Sequence, residues 1–151
     1  MKGVIPLLAA AILARVPSAL PSRSTGETMR LDIRRAVLEH LVKTKCQHRT
    51  CIAAVRGKSA DAALIGVLAK LGRVERLQAG DLTVRNGATG AFRRASATVL
   101  DVQSERLGDS GTARVVVSEL STLIGRRNCL YLVRKARGEW SVDDAETTCS
   151  S

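Results

Sequence analysis

The side chains with most chemistry to offer in this 151-residue sequence are four cysteines, two histidines and one late carboxylate cluster. Cys46, His48 and Cys51 form a C-x-H-x2-C group that Cys129 or Cys149 could complete into a tetrahedral metal site. The spacing matches no standard zinc module and C-x2-C is missing, so no metal is expected. An even set of cysteines in a small chain instead suits two disulfides, with three connectivities open. Long-range pairs are expected in preference to a local Cys46–Cys51 loop, with a bridge at Cys149 tying down the C-terminal end.

Acid–base candidates are few. His40 follows Glu39 on a predicted helix, where adjacent side chains point in different directions, so a helix-face histidine is expected rather than a general base. His48 lies in the polar run Gln47-His48-Arg49 and is expected to be solvated. Asp143, Asp144 and Glu146 cluster near the end, but strand alternation sends Asp143 and Asp144 to opposite faces. The sequence has no G-x-S-x-G elbow, no phosphate-cradling glycine loop and no H-E-x-x-H. No catalytic residue and no cofactor are therefore expected.

The charge is basic, 24 Lys and Arg against 14 Asp and Glu, for a formal net charge of +10. Aromatic side chains are only Phe92, Tyr131 and Trp140, too few to stack successive bases, so specific nucleic-acid recognition is not expected. Basic residues are dispersed. Arg126 and Arg127 in a loop, with Arg134, Lys135 and Arg137 at a hairpin tip, make the candidate patch for an anionic surface or polymer.

The elements that must position these groups begin after an address. Lys2 precedes the apolar stretch Val4 to Ala14 (VIPLLAAAILA), and small residues follow, with cleavage expected after Ser18 or nearer Ser22. Residues 1–22 thus read as a secretory signal and 23–151 as one domain, secreted or periplasmic, with no transmembrane span in the mature chain. With the mature start as late as residue 24, losing Lys2, Arg15 and Arg23 lowers the net charge from +10 to about +7.

Glu27 to Lys45 reads as an amphipathic helix, because Met29, Ile33, Val37, Leu38 and Leu41 recur at three- and four-residue steps. Ser24 or Thr25 is its expected cap. Cys51 to Val55 (CIAAV) suits a buried strand. Ser59 is the expected cap of a second helix, Ala60 to Leu71, with Gly72 as its stop. With Val74 to Leu77 extended, residues 51–77 form a strand–helix–strand unit.

Later texture is β. Leu82 to Val84 precedes an Asn86-Gly87 turn signal, and Ala95 to Val102, Ala113 to Leu120, Leu130 to Lys135 and Glu139 to Asp143 follow. Val115 and Val117 face one side, and Arg114, Val116 and Ser118 the other. The expected architecture is α+β, N-terminal helices packed on an antiparallel meander of about four strands.

The closing hairpin, Cys129 to Val142 (CLYLVRKARGEWSV), resembles the terminal hairpin of NTF2-like and cystatin-like exported domains. Cys51 to Leu77 is similar to small exported bacterial proteins of unknown function. The resemblance carries no catalytic residues across, and an NTF2-like cone usually has more helix before its long strands. It implies a ligand pocket between helix 1 and the sheet, reached by His40, Tyr131 or Trp140. The expected function is non-catalytic, a binding or accessory domain of an exported protein. A small-molecule binder or enzyme with that pocket, and an electrostatic binder of an anionic partner, are the alternatives.

Overall fold

The computed structural model describes residues 25–82, 84–85, 88–89, 97–121 and 125–151, with the backbone alone at 84, 85, 88 and 89. The expected signal segment therefore lies outside the described residues, as does the Asn86-Gly87 turn.

Helix α1 (Thr25–Lys45) buries Ile33, Val37, Leu38, Leu41 and Val42 along one stripe. Glu27 in its first turn and Lys43 and Lys45 in its last complement the helix dipole. The chain then reverses through residues 46–50 into β1 (Cys51–Val55), whose first four residues are buried. Such a near-continuous apolar run is what a strand covered on both faces requires.

A two-residue turn at Arg56-Gly57 leads into β2 (Lys58–Ser59), antiparallel to Ala54 and Val55. Helix α2 (Ala62–Leu68) is shorter than expected, and its cap is Asp61 rather than Ser59. The Asp61 carboxylate accepts from the Leu64 N–H at 2.8 Å, while Ser59 Oγ accepts from the Leu77 N–H. Gly72 lies beyond the helix end rather than stopping it. There the chain passes α1 so closely that an added Cβ would sit 3.0 Å from Val42 Cγ1. Strand β3 (Val74–Arg76) then returns parallel to Cys51–Ala53, completing the strand–helix–strand unit.

β4 (Val84–Arg85) and β5 (Ala88–Thr89) form a small antiparallel pair of their own. Four long strands follow: β6 (Thr98–Leu107), β7 (Thr112–Ser121), β8 (Gly125–Ala136) and β9 (Glu139–Ser150). The β8–β9 turn falls at Arg137-Gly138, with φ of 53° and 83°. That left-handed pair matches the twist of a tight hairpin, and glycine adopts its second position without a Cβ penalty.

These elements correct the expected architecture. The main sheet has seven strands rather than about four, in the order β2-β1-β6-β7-β8-β9, with β3 also on β1. It is mixed, because β1 runs parallel to β6, from Cys51↔Thr98 to Val55↔Val102. Only α1 precedes the strands, while α2 sits between β2 and β3. The physical reason is β1: its both-sided burial places it inside the sheet, and the chain returns on its other side in the same direction.

α1 packs chiefly against β9 and β6, closing the larger core over Leu100, Val102, Val115, Val117, Tyr131 and Val133. On the opposite face a smaller cluster of Ile52, Ala97, Val99 and Leu120 is covered by Leu77 and Leu82.

Register fixes the rest of that opposite face as rows running across the strands. Arg106, Arg114, Leu132 and Asp143 form one row; Ser104, Val116, Leu130 and Thr148 form the next. Asp101, Ser118, Asn128 and Ser150 form a third. Arg134 lies beside the first row, opposite Thr112 and Ser141. Val116, Leu130 and Leu132 are half-buried there, and Arg106, Arg114 and Arg134 are exposed.

Candidate functional site

The disulfides use all four thiols: Cys46–Cys51 and Cys129–Cys149. The first pair is local, against the expectation of long-range pairs. Cys46 continues α1's hydrogen bonding through its N–H to Val42, and the immediate reversal brings its Cα to 5.8 Å from that of Cys51. The second joins directly opposed residues of β8 and β9, near the chain end as expected. A C-x-H-x2-C metal site has no free thiolates to use. Among the described residues no group of histidine, cysteine and carboxylate side chains could hold a metal, and no helix is long and apolar enough to cross a membrane.

Two buried carboxylates brace the helix to the sheet. Glu119 on β7 accepts from Lys45 Nζ, from Tyr131 Oη at 2.7 Å, and from Arg127 Nε and Nη2 at 3.0 and 2.8 Å. Burial disfavours its charged form, but the hydrogen bonds from Lys45, Tyr131 and Arg127 outweigh that and hold the carboxyl below the ordinary glutamate range. Burial and the adjacent Glu119 push the Tyr131 phenol upward, so it stays protonated and donates. Glu105 on β6 accepts from Arg34 of α1 at 2.6 Å and from Arg56 of the β1–β2 turn at 3.2 Å. Asp101 takes the Gly57 N–H and Gln103 Nε2. Gln103 is the extra residue where β6 slips register against β7. Carboxylates committed to ion pairs and backbone donors in this way hold elements together.

The expected pocket residues go to three different places. Tyr131 is buried and committed to Glu119. His40 Nε2 lies 2.9 Å from Asp144 Oδ1, where four β9 residues stand against one on β8. Trp140 lines an open groove of about 390 Å³ with Asp32, Arg35, Ala36, Glu39, Gly138 and Glu139. Neither His40 nor Tyr131 lines it. Between α1 and the sheet, Ile33, Val37, Leu38 and Leu41 meet the buried side chains of the strands.

The basic residues marked from sequence are also divided. Arg126 and Arg127 lie near the start of β8 and Arg134 to Arg137 at its end, roughly 25 Å apart at strand rise. Arg127 is bound to Glu119 on the helix side. Lys135 Nζ sits 5.8 Å from the Trp140 ring centroid on that same side, and Arg137 occupies the turn. Arg134 points to the other face, where it meets Asp143 at 2.9 Å.

That face supplies a different cluster. Arg106 on β6 stands directly opposite Arg114 on β7, roughly 5 Å between Cα atoms for such pairs, and Arg134 is a diagonal neighbour of Arg114 at roughly 7–8 Å. Among the described residues no carboxylate pairs with Arg106 or Arg114. Like charges opposed across strands are destabilising, so this arrangement has no bracing role of the kind seen at Glu119. Arg106, Arg114, Leu107 and Leu132 line a depression of about 500 Å³ at the β6–β7 turn, together with Gly108, Asp109, Thr112 and Ala113. The sequence signal was the outward parity of Arg114, but only the register brings Arg106 beside it. Nor does the depression lead to a known protein by likeness: no family profile, curated protein or solved structure matches this chain.

Proposed function

We propose that this chain is a non-catalytic binding domain of an exported protein, secreted or periplasmic, that holds an anionic partner on the uncovered face of its sheet. The single observation that carries the reading is the opposed pair Arg106 and Arg114, with neither of which a carboxylate pairs among the described residues, beside Arg134. Like charges on directly opposed residues repel, and a phosphate or carboxylate held by both relieves the repulsion while accepting bidentate hydrogen bonds. Export is supported by the apolar stretch Val4 to Ala14 and by two disulfides, which persist in oxidising compartments.

Retention of the protein on a phosphorylated or sulfated matrix tests the reading. It is expected to weaken steeply with salt, and Arg106→Gln with Arg114→Gln is expected to lower the eluting salt concentration well beyond the control pair Arg126→Gln with Arg137→Gln. Equal loss from both pairs would mean that overall charge alone drives retention, and would overturn the assignment.

A further inference from the structure

We infer that the anion held at this corner is the headgroup of a single-chain amphiphile in solution, whose apolar body lies along Leu132, Leu130 and Val116. The inference rests on the anion-binding reading and adds the ligand's other half. Among the described residues, the cations of this face of the long strands cluster at one end. Beyond Arg106, Arg114 and Arg134, the next cation along β8 on that face is Arg126, six residues from Leu132 and roughly 20 Å away. A polyanion carries charge at short intervals and needs cations along a track. Beyond the corner the face instead carries a short apolar strip, Leu132 and the opposed pair Val116 and Leu130, bordered by Ser104 and Thr148.

Leu107, at 41% exposure, also lines this depression, though its register partner Ala113 places it on the helix-side parity of the sheet, so Leu132 is the apolar side chain that the open face contributes there. A charged rim and an apolar floor in one depression suit a ligand with both characters. Val116, Leu130 and Leu132 are half-buried and do not protrude, so a chain can lie on them but they cannot enter a bilayer. Asp109 and Asp143 border the site, with Asp143 already held by Arg134, and they exclude a second anionic group at that edge.

Titration of the full-length, non-reduced protein with octyl phosphate below its micellar concentration, followed by amide chemical shifts, tests this. Ethyl phosphate and octyl glucoside serve as the head-only and tail-only probes. Octyl phosphate is expected to bind at least tenfold more tightly than ethyl phosphate, the gain from sheltering about two methylenes. Leu130→Asn with Val116→Thr is expected to abolish that gain and leave ethyl phosphate binding unchanged. Arg106→Gln with Arg114→Gln is expected to weaken both. Equal affinity for the two phosphates, or a gain that survives Leu130→Asn with Val116→Thr, overturns the amphiphile while leaving anion binding intact. Binding of neither overturns both. Binding to vesicles of phosphatidylglycerol and phosphatidylcholine without binding of monomeric octyl phosphate overturns the proposal in favour of a membrane surface.

Discussion

Replacing Glu119 with leucine should cost about 3 kcal/mol of folding stability. The carboxylate is 1% exposed and satisfies three donors at once: Lys45, Arg127 and Tyr131. Its removal leaves the buried Tyr131 hydroxyl without its acceptor, at about 1–3 kcal/mol. Lys45 and Arg127 are 28% and 31% exposed, so water recovers part of what they lose, which keeps the total near the low end for breaking a buried pair. Urea unfolding of the non-reduced protein measures the effect. With a slope of about 2 kcal/mol per molar, the midpoint should fall by roughly 1.5 M. Adding Tyr131→Phe to Glu119→Leu should restore about 1 kcal/mol, because the stranded hydroxyl is gone. A Glu119→Leu cost under about 1 kcal/mol, or an additive cost in the double variant, refutes the bracing argument.

The same site fixes a pH dependence. The folded-state pKa of Glu119 lies below its unfolded value, so the unfolded chain takes up the proton first as pH falls. Its contribution is fully present above about pH 4.3, the unfolded glutamate value, and is lost as pH drops through the folded value. The groups facing it are the cations Lys45 and Arg127 and the phenol of Tyr131, with Asp144 acting on the phenol from β9. Glu119→Gln should therefore flatten the acid limb of stability between about pH 5 and pH 2, leaving the rest of the curve parallel to the parent's.

Three further outcomes follow from local geometry. Denatured, non-reduced protein should show no free thiols, and chain entropy makes removal of Cys129–Cys149 cost about 3 kcal/mol against about 2 for Cys46–Cys51, read by urea midpoints of the two double-alanine variants. Asp61→Ala should cost about 1 kcal/mol by loss of the cap on α2, with Asp61→Asn nearly neutral in the same assay. Gly138→Ala should cost about 1–2 kcal/mol, since φ of 83° forces its new Cβ against the backbone, and a thermal melt unchanged within error would refute that reading of the turn.

Much of the local structure was legible because it depends on neighbours in sequence. The apolar steps of α1 predict which residues it buries, Ile33, Val37, Leu38 and Leu41 all being inside. Arg137-Gly138 predicts its hairpin, and the alternation of buried Val115 and Val117 against more exposed Arg114 and Val116 holds in the first half of β7. What failed depends on partners far along the chain. β1 shows its burial in CIAAV, yet nothing in five residues says that β6 will join it in parallel. β9 reads as ending at Asp143 because Glu-Thr-Thr-Cys-Ser is polar, but an edge strand with exposed side chains needs no apolar pattern to pair through its backbone. The Asp61 cap was masked by Ser59, an equally good capping residue two positions earlier that β2 absorbs.

The register also changes what the basic composition means. A net charge of +10 read from sequence is a uniform property of the chain, favouring solubility and nonspecific attraction to anions. In the fold, the two faces of the sheet treat that charge in opposite ways. On the helix side each buried carboxylate is matched by two cations, Glu105 by Arg34 and Arg56, and Glu119 by Lys45 and Arg127. Those four cations are spent on holding α1 and the strands together, and Arg127 leaves the patch drawn from sequence for that reason. On the other face Arg106 and Arg114 oppose one another, and no carboxylate pairs with either among the described residues. Directly opposed like charges work against the pairing of β6 with β7. A surface whose charges work against the fold, in a protein that elsewhere pairs its charges closely, is the kind of local conflict that ligand binding resolves.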